Sequence, residues 1–492
     1  MKPIEADVLV IGAGITGTTI ARELSRYKID TVVVEKGSGV GIQGQTKASG
    51  GMIYSGMVML MSYILKSFVA PDAPIYDPKS QKIGWLEQGF DEVPQWLEEL
   101  DLSSHPAKHL VIATDKDEIK DLESLLTLGK SIGERYSKIN WADRDECFEM
   151  EPHLTEDVLA GLWSEGDAMQ VPSWDIAMAQ SENARQNGVR FMLNTEVTGV
   201  LQKNGYQLVE TSQRQIKTRF IVNAAGIFAD KVSDLAGQRD WDLMFVRNLF
   251  VIMDRRSGGL ANTHLCLPPR PGKGPICGQT LDGNLIINTG EYELSPNRYN
   301  VGAYPGEALR NVLKAKRFVP VLSEDDVIRS FVGMRVFNTR DEEENIIEPL
   351  SNNEKFINAV VRLPGVTPAV PIARYVVELL GNAGLDLTSK TDFNPYRKRI
   401  PKFRDISDEE RMRLISHDPR YGHVVCTCET VTEGQISEAV QRGAGSIDGV
   451  RYATRAGMGR CQGNYCRAHV AEIMAKELNV PITQILERRP KE

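Results

Sequence analysis

The chain has 492 residues, 41% hydrophobic and 25% charged, too long for one ordinary core and composed like a soluble globular protein of two or three domains, which excludes disordered and fibrous classes. Its 58 Lys and Arg stand against 66 Asp and Glu, a formal net charge of −8, so it lacks the basic excess that a nucleic-acid binder carries. Four of the seven cysteines, Cys426, Cys428, Cys461 and Cys466, crowd into one C-terminal stretch, while Cys147, Cys266 and Cys277 are scattered.

The opening residues run directly into the apolar stretch 8–11, too short for a secretion signal. No run reaches the ~18–20 apolar residues that cross a bilayer. Residues 57–70 (MVMLMSYILKSFVA) come nearest, but Ser62 and Lys66 interrupt them. Met57, Met59 and Met61 beside Leu60, Ile64 and Leu65 suit a buried core or an adaptable, partner-facing patch. The expectation is a cytoplasmic chain, where thiols stay reduced and grouped cysteines more often bind metal than pair.

In chain order, residues 6–11 (ADVLVI) predict a buried parallel strand, and Gly12-x-Gly14-x-x-Gly17 follows at once, with a helix over 18–26. Residues 31–34 (TVVV) predict the next strand, ending in Glu35, 18 residues after Gly17. Gly12 permits the tight turn, Gly14 lets a pyrophosphate approach the backbone, and Gly17 lets the helix pack against the strand. The positive helix end, with Ile15 and Thr16, then faces the phosphates, while Glu35, followed by Lys36, accepts from the ribose hydroxyls. The pattern marks a dinucleotide site, and NAD and FAD share it.

Further on, 189–193 and 220–222 predict strands, the second running into Asn223-Ala224-Ala225-Gly226. Residues 240–330 alternate short strands such as 284–288 with Pro- and Gly-rich turns (PPRPGKG at 268–274), as in an antiparallel sheet inserted into the α/β unit. A helix is predicted over 371–380. Residues 381–423 are polar and proline-marked, with Arg397, Lys398, Arg399 and Lys402 close together, and suggest a solvated linker. The unit beyond it holds the four cysteines and predicted helices at 432–442 and 468–478.

Five segments carry a resemblance: ADVLVIGAGITGTTIARELSR near the N-terminus, GQTKASGGMIYSG at 44–56, FIVNAAGIFAD at 220–230, VGMRVFNTRD at 332–341 and LPGVTPAVPIA at 363–373. With them the chain resembles the D-amino-acid-oxidase-like flavoprotein superfamily, and within it the branch holding anaerobic glycerol-3-phosphate and 2-hydroxyglutarate dehydrogenases. The resemblance implies an α/β fold: a Rossmann-type FAD-binding domain, an inserted antiparallel-sheet substrate domain, and a small helical C-terminal domain. The FAD-binding parts would be about 1–80, 150–235 and 330–380, and the substrate domain about 81–149 and 236–329. The linker at 381–423 and the cluster domain at 424–492 would follow.

By the same resemblance, Gln45, Thr46, Ser49, Gly50 and Gly51 line the flavin, Val197 contacts adenine through its backbone, and Ala225, Gly226 and Gly333 complete the cofactor contacts. The turn holding Gly365, Val366 and Thr367 precedes a helix whose N-terminal N–H groups suit the negative charge of a reduced flavin. Arg335 would sit beside the flavin and bind an anionic substrate group through its planar fork. Arg340 resembles a second phosphate ligand, although the acids after it could equally be its partners. Two departures bear on the substrate. Tyr54 stands where many relatives have histidine, and it is a poorer base at neutral pH. The run Leu363-Pro364-Gly365-Val366-Thr367 lacks the lysine of the bacterial glycerol-phosphate enzymes.

Cys426-x-Cys428 is followed after 32 residues by Cys461-x4-Cys466. Four thiolates suit zinc or a [2Fe-2S] cluster, and these spacings depart from the two-residue gaps of zinc knuckles. The runs VVCTCETVTEGQISEAV and GMGRCQGNYC resemble the bacterioferritin-associated-ferredoxin-like domain, which implies [2Fe-2S]. Together these imply a FAD-dependent dehydrogenase of a small anionic hydroxy substrate, with sn-glycerol 3-phosphate first, a 2-hydroxy acid second and an amino or imino acid third. Electrons would leave singly through the cluster to an electron-accepting flavoprotein or Fe–S subunit, which could hold the chain at the inner face of a membrane. A non-catalytic electron relay is the alternative of another class.

Overall fold

In the computed structural model, residues 2–61, 80–270, 273–288, 293–340 and 345–487 are described. Strand β1 (Ile4–Ile11), helix α1 (Ile15–Leu24) and strand β2 (Thr31–Val34) open the chain. Helix α1 begins earlier than the sequence predicts because Gly14 itself caps it and Gly17 lies in its first turn. β1 pairs in parallel with β2 and with Ile216–Asn223, and β2 pairs in parallel with Arg190–Met192. Val8, Leu9, Val10, Val32 and Val33 are all fully buried, as a parallel sheet covered on both faces requires. α1, Ser173–Gln186 and Ala369–Asn382 contribute to the core on one face.

A second, nine-stranded sheet is built around the long antiparallel pair Leu243–Met253 and Val327–Asn338. It also contains Ala160–Ser164, so two strands that the sequence division assigns to the FAD-binding parts lie in the substrate sheet instead. The sheet is not wholly antiparallel: His264–Arg270 runs parallel to His109–Ala113. Apolar alternation shows that a strand has a buried face, but not which sheet buries it. Residues 271–272 of the expected PPRPGKG turn and residues 62–79 lie outside the described residues. Met57, Met59 and Met61 are buried with Leu60, Leu122 and Leu125, which makes this part of the methionine stretch core; the rest of it, with Ile64 and Leu65, falls in 62–79.

The segment 381–423 corrects the linker expectation. The Asn394 carbonyl accepts from the side-chain amides of Asn183 (3.0 Å) and Asn187 (2.8 Å). Buried Arg397 donates to Glu182 (2.8 Å) and to the Leu100 carbonyl (3.0 Å). Helix Asp408–His417, capped by Ser407, then leads into the cluster unit. A polar stretch resembles a solvated tether only while its partners are unknown; here they lie some 200 to 300 residues away in sequence. The cluster unit packs Glu433–Gln441, Ile447–Thr454, Arg467–Leu478 and Ile482–Glu487 around Ile436, Val450, Val470 and Met474. Among the described residues, no helix is long and apolar enough to cross a membrane.

Charge joins the three parts. Asp282 of the substrate sheet and Glu429 beside Cys428 are almost fully buried. Arg455 lies 2.6 Å from Asp282 and 2.9 Å from Glu429, Arg255 lies 2.7 Å from Glu429, and Lys402 and Arg404 of the 381–423 strap complete the group. Burial raises the Asp282 carboxyl, but Arg455, Lys402, Arg404 and Arg255 outweigh it and hold the group below the usual carboxylate range. A depressed carboxylate contributes stability above its unfolded pKa of about 3.9 and loses it as pH falls through the still lower folded value. Asp282→Asn should therefore weaken the seating of the cluster unit by about 2 kcal/mol at neutral pH, because it removes a buried counter-charge from half-buried cations. Chemical denaturation should show this loss at pH 7, and the difference from wild type should shrink only below about pH 4.

Candidate active site and cluster centre

The glycine turn is a place without side chains. Gly12 has φ +104°, donates to the Val34 carbonyl (2.8 Å), and a Cβ there would overlap the Ala224 carbonyl. A Cβ at Gly17 would overlap the Gly12 carbonyl, so α1 lies against the turn only because it is absent. The Ile15 N–H donates to Thr46 Oγ1 at 3.0 Å, tying α1 to α2 (Gly44–Lys47); Thr16 is half-buried in the first turn. Glu35 accepts from the N–H groups of Ala13 (2.8 Å) and Gly37 (2.7 Å), one on each oxygen. Burial pushes its carboxyl up, and those two N–H groups oppose the shift. Each oxygen keeps acceptor capacity for a ribose hydroxyl, so the clamp and the cofactor contact are compatible. Lys36 stands 3.1 Å over the Phe228 ring, and Val197 starts the strand Val197–Lys203.

The segment 45–51 lies between several elements. Ser49 Oγ accepts from the Gly51 N–H (3.0 Å) and from Ser173 Oγ (2.8 Å), and the Gly50 carbonyl accepts from Gln170 (2.6 Å). Gln45 reaches toward Gly226, whose Cβ would stand 3.1 Å from Gln45 Oε1, and the Ala225 N–H donates to Asn223 (3.3 Å). The strand Val327–Asn338 comes so close that a Cβ at Gly333 would stand 2.6 Å from the Ala48 carbonyl oxygen. Arg335 lies two residues on, hence on the same strand face. Strand β3 (Met52–Tyr54) follows, and the Tyr54 N–H donates to buried Thr367 Oγ1 at 3.3 Å. That bond ties β3 to the turn holding Gly365 and Val366, from which Ala369–Asn382 starts. These contacts join the glycine turn, the segment 45–51, the strand that carries Arg335, β3 and the 365–367 turn to one another.

Arg340 is not gathered with them. Its guanidinium is engaged by Glu348 at 2.8 and 2.9 Å and by Asp240 at 3.3 Å on an exposed edge, which gives the expected phosphate ligand carboxylate partners instead. Asp341 lies outside the described residues. The buried groups supporting Tyr54 carry no sequence signal. Asp167 accepts from the Met57 N–H (2.9 Å), and its carbonyl accepts from the Ser55 N–H (2.7 Å). Burial raises the Asp167 carboxyl, but His109 and that N–H hold it below its ordinary value. Neighbouring His264 is pushed down to about 3 by burial and by His109, so it stays neutral.

At the C-terminus, Cys428 Sγ and Cys461 Sγ stand 3.7 Å apart, and Cys426 contacts Cys466. Cys426 accepts from the Gly457 N–H at 3.4 Å. Burial raises the Cys461 thiol, but the N–H groups of Tyr465, Gly463 and Asn464 outweigh it and favour a thiolate. Gln462 (φ +50°) and Gly463 (φ +88°) curl this loop so that its amides point at the sulfur, and Gly459 leaves no Cβ to strike Cys428. Among the described residues, no three His, Cys, Asp or Glu side chains converge as a mononuclear site needs. Thiols in two pairs, lined by N–H donors, fit a two-iron cluster that takes two thiolates at each iron. The other cysteines are buried: Cys147 and Cys266 are pushed up to about 12 and Cys277 is also raised, as inert packing thiols are.

Residues 7–379 match the family of FAD dependent oxidoreductases, and residues 424–476 match the BFD-like [2Fe-2S] binding domain. A glycerol 3-phosphate dehydrogenase of Caloramator mitchellensis is 33% identical over 97% of this chain and 96% of its own. An anaerobic glycerol-3-phosphate dehydrogenase subunit A1 of Haloferax volcanii is 25% identical over 96% of this chain and 83% of its own. The structure of dithionite-reduced L-alpha-glycerophosphate oxidase from Mycoplasma pneumoniae with FAD bound superposes with a TM-score of 0.70 at 25% identity, covering 81% of this chain and 99% of that one. The side-chain-free cradle at α1 and the paired thiols thus correspond to two matched cofactor domains. Gly17→Ala forces α1 off the turn; overpacking of this kind costs about 3 kcal/mol, roughly a hundredfold in FAD affinity. Purified variant should carry little flavin by absorbance while its iron content stays at the wild-type level.

Proposed function

Because the chain belongs to the FAD-dependent oxidoreductase family and carries a fused BFD-like [2Fe-2S] domain, we propose that it is the dehydrogenase of sn-glycerol 3-phosphate and delivers the electrons, one at a time, to a partner protein. The observation that carries the substrate is the likeness to the Caloramator mitchellensis glycerol 3-phosphate dehydrogenase, which runs through the flavin and cluster units alike. Bound FAD supplies a hydride acceptor and the bound cluster a one-electron relay. The chain's residues supply the rest.

Arg335 holds the substrate phosphate in its planar fork, presented by a strand that Gly333 brings against the Ala48 backbone. Tyr54, its backbone pinned to Thr367, hydrogen-bonds the substrate hydroxyl. The N–H groups of the 365–367 turn and the start of Ala369–Asn382 offer positive charge where a reduced flavin carries negative charge. Gly12, Gly14, Ile15, Thr16 and Gly17 seat the pyrophosphate, and Glu35 the ribose, with Lys36, Gln45, Thr46, Ser49, Gly50, Gly51, Val197, Ala225, Gly226, Val366 and Thr367 around the remainder. Cys426, Cys428, Cys461 and Cys466 hold the cluster. The partner is an electron-accepting flavoprotein or Fe–S subunit of a complex, through which the chain would be held at the inner face of a membrane.

Anaerobic mixing of the holoenzyme with sn-glycerol 3-phosphate should bleach the flavin absorbance, while 2-hydroxyglutarate and glycine should not. Bleaching by one of those instead reassigns the substrate. Reduction by a low-potential donor alone would make the chain a relay. Arg335→Gln should raise KM about a hundredfold, the worth of roughly 3 kcal/mol in charged hydrogen bonds, with flavin content unchanged. Arg340→Gln, which breaks only the pairing with Glu348 and Asp240, should leave KM within about twofold in steady-state assays.

A further inference from the structure

The strand Val327–Asn338 reaches both redox units. Side chains alternate along a strand, so Arg329, Phe331, Gly333 and Arg335 share one face, while Val332, Met334 and Val336 on the other are buried in hydrophobic clusters. Pairing with Leu243–Met253 runs without a register shift from Arg329 to Asn338. At one end of this face, Gly333 presses on the backbone of the segment 45–51. In the middle, Phe331 stacks on its cross-strand neighbour Phe250, with centroids 5.1 Å apart and planes inclined by 14°. The Phe250 ring lies 3.7 Å from a Cβ position on Gly50 and 3.3 Å from one on Gly333, so it closes the space against the flavin-lining segment.

At the far end, Arg329 donates to Gln462 Oε1 at 3.4 Å, and Arg451 donates to the same oxygen at 2.8 Å. Gln462 follows Cys461 directly, and its own amide donates to the carbonyls of Met458 (3.1 Å) and Gly459 (2.9 Å), which fixes its side chain on the cluster loop. Positive charge collects here. Lys47 of α2, Arg329 and Arg451 face one another with Asp448 as the counter-charge, and burial followed by Arg329 pushes the Arg451 guanidinium down. Among the described residues, the buried Arg451 Nε has no hydrogen-bond partner.

We propose that this strand face is the electron bridge of the protein: the Phe250–Phe331 stack and the Arg329–Gln462 contact join the flavin seat to the cluster at Cys461, and Arg329 and Arg451 stabilise the charge that the cluster gains. The bridge rests on the flavin-to-cluster route proposed above. In each transfer the reduced flavin loses one electron and the diferric cluster gains it, becoming one ferric and one ferrous ion. A one-electron acceptor such as ferricyanide must then oxidise the cluster before the second electron follows, and the flavin proton goes to solvent. Phe250 and Phe331 act as packed matter rather than as redox sites: their atoms fill what would otherwise be a gap between the two seats. The two arginines act by charge, since the potential of an iron–sulfur centre follows the net charge and hydrogen bonds around it.

The test uses the complete holoenzyme. A light pulse with EDTA as donor reduces the flavin, so the measurement does not depend on the substrate, and freeze-quench EPR follows the cluster. Phe331→Ala should slow cluster reduction about tenfold by opening a cavity, and Phe331→Leu, which refills most of it, should stay within about threefold of wild type. Arg329→Gln and Arg451→Gln should each shift the cluster midpoint potential downward in a redox titration, an effect that lost packing alone would not produce. Wild-type transfer rates in Phe331→Ala with flavin and cluster intact would overturn the bridge, as would an unchanged potential in both arginine variants. A wild-type cluster that stays oxidised beside photoreduced flavin would overturn the flavin-to-cluster route, and the bridge with it.

Discussion

Where Gly12, Gly17 and Gly333 stand, a methyl group would collide with a neighbouring carbonyl oxygen: that of Ala224, of Gly12 and of Ala48 respectively. Backbone therefore runs against backbone at all three places, and the site depends on that approach. The first two contacts seat α1 on the parallel sheet beside the turn, and an anion at that helix N-terminus gains from the helix dipole. The third brings the strand that carries Arg335, from the substrate sheet, against the segment 45–51. Two sheets with separate cores thereby meet at this segment.

Charge does at longer range what these contacts do locally. A chain of net charge −8 still concentrates cations at its internal junctions. Arg255, Lys402, Arg404 and Arg455 surround the buried Asp282 and Glu429, and Lys47, Arg329 and Arg451 meet between the flavin segment and the cluster loop. The first group converges on two buried carboxylates and acts as a clamp. The second faces Asp448 as counter-charge, which suits a junction between two cofactors that both become more negative on reduction.

Much of this was legible in the sequence because the signals are local. The spacing of Gly12, Gly14 and Gly17 before Glu35, and of the four cysteines, arises from chemistry within one turn or one loop, and the structure does bring those residues together. The linker expectation for 381–423 failed for the opposite reason: Arg397 and Asn394 look solvated until Glu182, Asn183 and Asn187 are placed beside them. Arg340 was expected as a ligand because Thr339-Arg340-Asp341 resembles the family's second phosphate-binding arginine, but its strand has ended by then and Glu348, on a strand of the other sheet, takes its guanidinium. The sequence also could not divide the two sheets, since alternation marks a buried face without naming what covers it.

By itself, then, the amino-acid sequence carried the cofactor signals: a glycine turn of the dinucleotide-binding pattern, an acid at the right distance for ribose, four thiols with spacings that suit a cluster, and the family resemblance that chose FAD and [2Fe-2S] among the alternatives. Tertiary structure alone decided how those parts work as one molecule. It placed Arg335 and Arg329 on the same face of one strand, stacked Phe331 on Phe250, and buried the strap that seats the cluster unit. The physical reason is range. Turn and loop chemistry is set by neighbours in the chain, whereas packing, ion pairing and burial are set by neighbours in space, and no periodicity in one strand or helix records which partner will arrive there.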